Sequence, residues 1–473
     1  MPKRAQHTLL AAGAALVLIA WQLHVSSKVE ALFGDFRAFY CAAGAAAHGA
    51  NPYAAAAIYA CERAPMPYGL YQATPGVAVP APLPGYALLA FAPIALLPYL
   101  AACAVWLALL LFTAFTSARA LALLLDRPYD AMLWVLAAGF AIISIPFGEL
   151  GTVIVAAVLW MAVALRRGAW TWAALAGGVA MILPHVALPA LLAVFLFVPQ
   201  MRTRLVLLAV ALLALDVSCG GPGVALAYLR DVLPAHARSE IGSTAQYGLT
   251  WILHGLHASD RAAIAGGEIS YAVMVVLGLL AARVFVLRRD DPAYAALIPP
   301  ALAVLGGTFM HYTQIMIAIP AALMLFYRAG NRVARNMFAA ALLLLVVPWA
   351  WALGQPVLVF VYALVCGFAG ARVLGWSGSA ALRAALASVL LAGSILLAGY
   401  HFGPGLNTHV HAVALQGGLA QSSWERFVRS QRASTSVVWW IAKAPTWIGL
   451  LLLALGCAYV LEKERLEPLA VHP

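Results

Sequence analysis

LPYLAACAVWLALLLFTAFTSA, residues 97–118, runs for 22 residues without an Asp, Glu, Lys or Arg. A helix rising 1.5 Å per residue needs roughly 20 apolar residues to cross a ~30 Å hydrocarbon layer. The stretch has no period-2 alternation, so it reads as a membrane-spanning helix and not as a barrel strand. Comparable runs flank it on both sides along the 473-residue chain. Hydrophobic residues make up 64% and charged residues 10%, and the mean hydropathy is +0.92. A water-soluble domain of this length needs far more charge to cover its surface. The fold class is therefore an all-α polytopic membrane protein.

Working outward from 97–118, the apolar runs and their breakers predict a first helix at 8–25 and further spans near 131–145 and 150–165. Two short spans at 170–183 and 186–199 are broken at Pro184 and Pro189. Others follow at 203–219, 268–287, 294–310, 312–328, 336–352, 356–371, 381–400 and 436–460. That is about fourteen helices, with boundaries the least certain feature of such a reading. The organisation is a first transmembrane helix (1–25), an outer loop (26–96), a transmembrane core (97–219) and a large outer loop (220–267). C-terminal transmembrane helices (268–400), a third outer loop (401–435), and a last helix with its tail (436–473) complete it. The run Thr8 to Val25 follows Lys3 and Arg4 as a signal peptide would, but lacks a small-x-small cleavage site, so it reads as a retained helix.

The formal net charge of +11 raises the possibility of nucleic acid. Its placement argues against that partner, because the basic residues sit between apolar runs. Every second short connection is basic: Arg119 and Arg127, Arg166 and Arg167, Arg202 and Arg204, and so on to Arg372 and Arg383. The alternate connections around Glu149, His185, His311 and Gln355 carry no Lys or Arg. By the positive-inside rule both termini are cytoplasmic and the three long loops face outward. The six cysteines have no metal-site spacing. Cys41 and Cys61 share an outer loop, where a disulfide and two free thiols are both open readings. No internal repeat is visible.

Ionisable groups at the membrane boundary are the candidates for chemistry. Asp35 lies a few residues beyond the first helix and just before Phe36–His48, a segment with helical spacing that fits an interfacial helix. A plain N-cap is the structural alternative for Asp35. The turn Gly49-Ala50-Asn51-Pro52-Tyr53 follows, then a proline-rich stretch, with a second short amphipathic or re-entrant helix near 84–97.

Asp35-Phe36-x-x-Phe39-Tyr40-x-Ala42 followed by Gly49-x-x-Pro52-Tyr53 resembles the opening signature of glycosyltransferase family 87. These are polytopic enzymes of the GT-C superfamily, which includes bacterial polyprenol-phosphate-mannose-dependent α-mannosyltransferases. Pro84 to Pro98, Phe147-Gly148-Glu149-Leu150-Gly151, Ala176-Gly177 through Leu183-Pro184, Gln246-Tyr247-Gly248-Leu249-Thr250 and His311-Tyr312 resemble later blocks. The likeness covers roughly 8–330. Leu83-Pro84-Gly85 stands where the family usually has Tyr-Pro-Pro, Glu149 where it has Gln, and Leu183 where a Lys often precedes the proline.

The resemblance implies a GT-C type bundle that moves a hexose, such as mannose, from a polyprenyl-phosphate sugar to a glycolipid or envelope-glycan acceptor. The reaction would invert the anomeric centre at the outer face of a bacterial plasma membrane. Asp35 matches the family's base, and an inverting transfer needs one carboxylate to take the acceptor proton. Arg37 is the expected cation that keeps Asp35 ionised. The departing phosphate needs Arg or His more than a metal; His311 is the leading candidate, with His185, His236, Arg230, Arg238, His401, His409, His411, Arg426, Arg429 and Arg432 also on the outer side. Tyr40, Tyr53, Glu149, His185, Arg238, Gln246 and Thr250 complete the substrate-binding candidates. Each has a bland counterpart: Glu149 as a solvated turn residue, His311 as a helix cap.

His401, His409 and His411 lack a clear third ligand, so no metal is expected, and no other cofactor. Trp424, Trp439, Trp440 and Trp447 read mainly as an interfacial belt. No soluble nucleotide-sugar domain is visible, which favours a lipid-linked donor. The alternatives are a secondary transporter, which would place ionisable residues near the midplane, a lipid-carrier glycan ligase or polymerase, and a non-catalytic relative.

Overall fold

The computed structural model describes residues 3–66, 69–136, 144–402, 415, 417–431 and 433–466. The protein is 80% helical, and among the described residues the β pairing is confined to three isolated bridges. Helix α1 (Lys3–Lys28) leads into three short helices of the first long loop, α2 (Gly34–Ala47), α3 (Ala55–Glu62) and α4 (Gly85–Ala95). Then come α5 (Tyr99–Leu125), α6 (Tyr129–Val135), α7 (Ser144–Phe147), α8 (Gly151–Arg166), α9 (Trp170–Ala180), α10 (Pro184–Phe197) and α11 (Arg202–Ser218). The second long loop holds α12 (Gly221–Ala227), α13 (Leu233–Ser239) and α14 (Leu249–Gly255). The chain continues through α15 (Asp260–Arg289), α16 (Ala293–Gly306), α17 (Tyr312–Ile315), α18 (Ala318–Arg328), α19 (Arg332–Val346), α20 (Pro356–Val373) and α21 (Gly378–Phe402). In the third long loop lies α22 (Ala420–Gln431), before the last helix, α23 (Val437–Leu466).

Among the described residues six helices, α1, α5, α15, α20, α21 and α23, are long and apolar enough to cross a membrane, and α10 with α11 makes a seventh if this pair, bent by 112°, is one span. Helices α4, α8 and α16 are apolar but shorter. The chain is an all-α, multi-pass membrane protein. A count of about fourteen requires the short helices to cross as well.

Helix α15 shows how the bundle is built. The reading above leaves residues up to 267 in a loop, yet the helix begins at Asp260. The Ser259 hydroxyl accepts the Ala262 N–H at 3.3 Å, and Asp260 in the first turn complements the helix dipole. One face buries Gly267, Gly278, Ala281 and Ala282, while Ile269, Val273, Val276, Leu277 and Leu280 stay exposed to lipid. Small residues let backbones approach where apolar burial supplies no drive between helices. A Cβ at Gly278 would lie 2.8 Å from Pro299 Cα of α16.

The helices of the long loops form a second layer. Helix α2 is largely covered by protein: Phe36, Ala38, Phe39, Ala42, Ala43 and Ala46 are buried, and the helix packs on α3 and α4. A disulfide joins Cys41 of α2 to Cys61 of α3. Helix α22 packs against α3 and α13, and its start is tied to the first loop by the Ala55 N–H to Gly418 carbonyl bond of 2.8 Å.

Candidate active site

Asp35 enters the site through the docking of α2. The Phe33 N–H donates to the Pro146 carbonyl at 2.7 Å. Phe36 stacks on the rings of Trp106 and Tyr99, at 5.3 and 6.0 Å between centroids. The Trp106 indole N–H donates to the Gly148 carbonyl at 2.9 Å. Gly148 has φ +70°, and a Cβ there would lie 2.5 Å from Phe36 Cβ. Only glycine permits both the left-handed turn and the close approach. This contact sets the first turn of α2 against the turn that carries Glu149. The expected cap role of Asp35 is not met: Phe33 occupies the N-cap in a left-handed conformation, and Asp35 lies within the first turn.

His311 comes from the other side of the molecule. Gln246 pairs with it in an isolated bridge. The Gln246 amide oxygen accepts N–H groups of Tyr247 at 3.1 Å and Gly248 at 3.2 Å, and also that of Met310. Lys443 of α23, fully buried, lies 3.8 Å from the Trp251 ring centroid and donates to the carbonyls of Ser243 and Gln246. That segment therefore holds the strand-like stretch before α17 in place. The His311 N–H donates to Gln314 Oε1 at 3.2 Å, and the same oxygen is 3.2 Å from His185 Nε2. His311 Nε2 is 3.1 Å from Oε2 of Glu240, whose side chain is 3% exposed. The other Glu240 oxygen accepts the Trp424 indole N–H from α22.

Charges in this cluster tune one another. Burial, then the Glu149 carboxylate, pushes Asp35 up to about 8, with His311 pulling the other way. Burial also raises Glu149, against His311 and the N–H groups of Leu150 and Gly151. Burial would raise Glu240 too, but His311 and the hydrogen bonds from His311 and Trp424 hold it down at about 2. For His311 burial works toward the neutral form, and Glu240, Glu149 and Asp35 outweigh it, so its pKa is raised. The result is a Glu240–His311 pair in which each partner favours the charged form of the other, facing two carboxyl groups of raised pKa.

Three cavities meet here. Asp35, Glu149, Glu240, His311 and Trp424 line both a cavity of about 430 Å³ and a smaller one of about 90 Å³. The smaller one shares Pro184, His185, Tyr228, Leu233 and Phe309 with a cavity of about 960 Å³. That largest space is bordered by Arg238, Arg261 and Tyr86.

Of the residues singled out from sequence, the structure thus brings Asp35, Glu149, His185 and His311 together, with Arg238 on the adjoining cavity. Five others line none of these cavities. Arg37 does not face Asp35. Two residues along a helix point to different sides, and its guanidinium is buried over the Tyr99 ring at 4.1 Å and donates to Met66 Sδ and the Cys61 carbonyl. His311, and not Arg37, is the group whose charge opposes the rise at Asp35, and burial with the Glu149 carboxylate outweighs it, so the ionised Asp35 expected from sequence is not favoured. The Tyr40 hydroxyl donates to the Leu97 carbonyl at 2.8 Å, and that of Tyr53 to the Leu83 carbonyl at 2.9 Å. Gln246 supports the loop, and Thr250 is buried against Gly267.

Glu240, Gln314 and Trp424 were missed. Glu240 belongs to no motif, and Trp424 was read as part of an interfacial belt. Trp440 and Trp447, also assigned to the belt, pack on Trp251 at 5.3 and 5.7 Å. His401 ends α21 exposed, whereas His409, His411 and Arg432 lie outside the described residues. Arg429 pairs with Asp260 and Glu425. Among the described residues no three His, Cys, Asp or Glu side chains are grouped to hold a metal ion.

Residues 84–311 match the family model described as glycosyltransferase family 87. The match takes in Glu149, His185, Arg238 and Glu240, ends on His311 and leaves Asp35 upstream. No curated protein and no solved structure matches the chain.

Proposed function

We propose that this membrane glycosyltransferase, whose residues 84–311 match glycosyltransferase family 87, transfers a hexose, such as mannose, from a polyprenyl-phosphate sugar to a glycolipid or envelope-glycan hydroxyl. The observation that carries this reading is the meeting of Asp35, Glu149, Glu240 and His311 where the cavities join. Asp35 takes the proton of the acceptor hydroxyl as that oxygen bonds to the anomeric carbon. The bond from this carbon to the phosphate oxygen breaks on the opposite face, its electron pair passes to the phosphate, and the configuration inverts. A carboxylate raised to about 8 is suited to this work, because it ionises near neutral pH and holds the captured proton firmly.

His311, kept positive by Glu240, meets the negative charge that grows on the leaving phosphate. His185 and Arg238 border the route through which the phosphate head reaches it. The 960 Å³ cavity carries Arg238 and Arg261 beside Asp216, Asp260 and Glu268, with the apolar Leu229 and Ile264 among them; the two guanidinium groups are its partners for an anionic head on a lipid tail. The active face is the outer face of a bacterial plasma membrane, with both termini cytoplasmic. Two observations support that orientation: the alternation of basic connections and a disulfide in the loop that carries Asp35.

The test is transfer of labelled sugar by membranes carrying the protein, from polyprenyl-phosphate mannose and its glucose and arabinose analogues. Transfer from one of these donors, with release of polyprenyl phosphate, is expected. No transfer from any of them by folded protein would contradict the reading.

A further inference from the structure

A further cavity, of about 810 Å³, lies away from the site, between α4, α5, α8 and α9. Helix α8 packs on both α5 and α9, and each of these three turns one stripe of side chains into the space. On α8 the stripe is Val153, Ala157, Trp160, Ala164 and Arg167, alternate steps of four and three along a single helix face. That face rises about 21 Å, enough to follow a lipid chain through the ~15 Å of one leaflet. Alanines keep the floor low, while Phe112 of α5 and Leu175 and Trp172 of α9 are exposed at the rim. The groove therefore opens sideways. Its two hydroxyls, on Thr113 and Thr116, donate to carbonyls of their own helix at 3.0 and 3.2 Å. Arg167 is the one charged residue in the lining. Its neighbour Arg166 is held by Asp291 and the Leu124 carbonyl, whereas Arg167 is exposed and pairs with no carboxylate among the described residues.

We propose that this groove binds one anionic phospholipid of the phosphatidylglycerol kind, its phosphate on the Arg167 guanidinium and an acyl chain laid along α8. A guanidinium pairs with phosphate oxygens through two parallel N–H bonds. Trp172, 70% exposed near the start of α9, lines the groove with Arg167. Trp and Arg together mark the headgroup level of a membrane protein. The lining has no carboxylate to meet the cationic end of a zwitterionic head, so the uncompensated charge of Arg167 favours a head of net negative charge. The polyprenyl carrier fits less well. A carrier whose phosphate sits at His311 would leave Arg167 unpaired, because the groove approaches the site by its other end. There Phe91 and Trp106 pack at 4.9 Å between centroids, and Trp106 stacks on Phe36 beside Asp35. In the orientation proposed above, Arg167 belongs to the cytoplasmic leaflet, across the membrane from the transfer chemistry. The site is thus independent of the sugar that is transferred.

The experiment is photolabelling of the full chain in nanodiscs by phosphatidylglycerol that carries a diazirine in its acyl chain. Labelling of residues 106–116 and 153–182 is expected. Unlabelled phosphatidylglycerol should displace the probe about fivefold more readily than phosphatidylcholine, the worth of one basic side chain near a membrane surface. Arg167→Gln, a change at an exposed position, should remove that preference, and Arg167→Lys should keep most of it. Equal displacement by the two lipids, or a preference that survives Arg167→Gln, would reduce the groove to ordinary lipid contact and overturn the proposal. Stronger displacement by undecaprenyl phosphate than by phosphatidylglycerol would also overturn it, by giving the groove to the carrier. Because no sugar donor is present, the outcome does not depend on whether the protein transfers a hexose.

Discussion

Two carboxyl groups of the first long loop, Asp35 and Glu62, are both pushed up to about 8, burial being the chief cause in each. Their surroundings separate them. Glu62 lies in a closed knot: one oxygen accepts the Val79 N–H at 2.9 Å, Arg37 lies close enough to oppose the shift, and its neighbour Cys61 is bonded to Cys41. Glu62 lines none of the three cavities that meet at the site. Asp35 opens onto two of them and faces Glu149 and His311. A perturbed carboxyl therefore does not identify a reacting group. What distinguishes Asp35 is a raised proton affinity combined with space for a substrate.

If that contrast is right, the two regions respond differently to change. Asp35→Asn removes the base while keeping the side chain's shape, so transfer should fall by about a thousandfold with the thermal midpoint of the purified protein little altered. A residual rate near wild type would erase the distinction. Glu240→Gln sharpens it from the opposite wall. With its counterion neutralised, His311 loses proton affinity, and kcat should drop by roughly tenfold to a hundredfold with a smaller effect on acceptor KM. The His311 limb of the pH profile should move to lower pH, a response that loss of packing alone would not give. The knot should show the reverse pattern. Replacing Cys41 and Cys61 by Ala opens a link across a sequence separation of 20 residues, and should cost about 2–4 kcal/mol of stability. Thermal unfolding would register it, with transfer at low temperature reduced only as far as α2 shifts.

Much of this was legible in the sequence. Charge-free runs such as 97–118 decide the class, because a bilayer leaves few other ways to bury so much apolar surface and satisfy the backbone. Asp35 and His311 were legible through their likeness to family motifs, and Glu149 as a lone charge at an outer turn. Arg37 was misplaced because proximity in sequence does not fix direction: two positions further along α2 its side chain reaches the knot. Glu240 and Trp424 were not legible because their meaning is a contact across 184 residues of chain, made only when α22 packs on α13. Gln246 and Thr250 lie within a motif, but their side chains turn inward to hold the loop and pack it. The span near 268–287 marks only the apolar part of α15, whose start is set upstream by the Ser259 cap.

The most direct test of the central claim is the pH dependence of kcat/KM for transfer by wild type, Glu149→Gln and Glu62→Gln. Asp35 must lose its proton to act as base, so the rate should rise with pH along a limb set by its raised pKa of about 8. Removing the Glu149 charge eases ionisation of Asp35, so that limb should move to lower pH, while Glu62→Gln should leave it in place. A limb that follows Glu62, or that ignores Glu149, would contradict the assignment of Asp35 as the base.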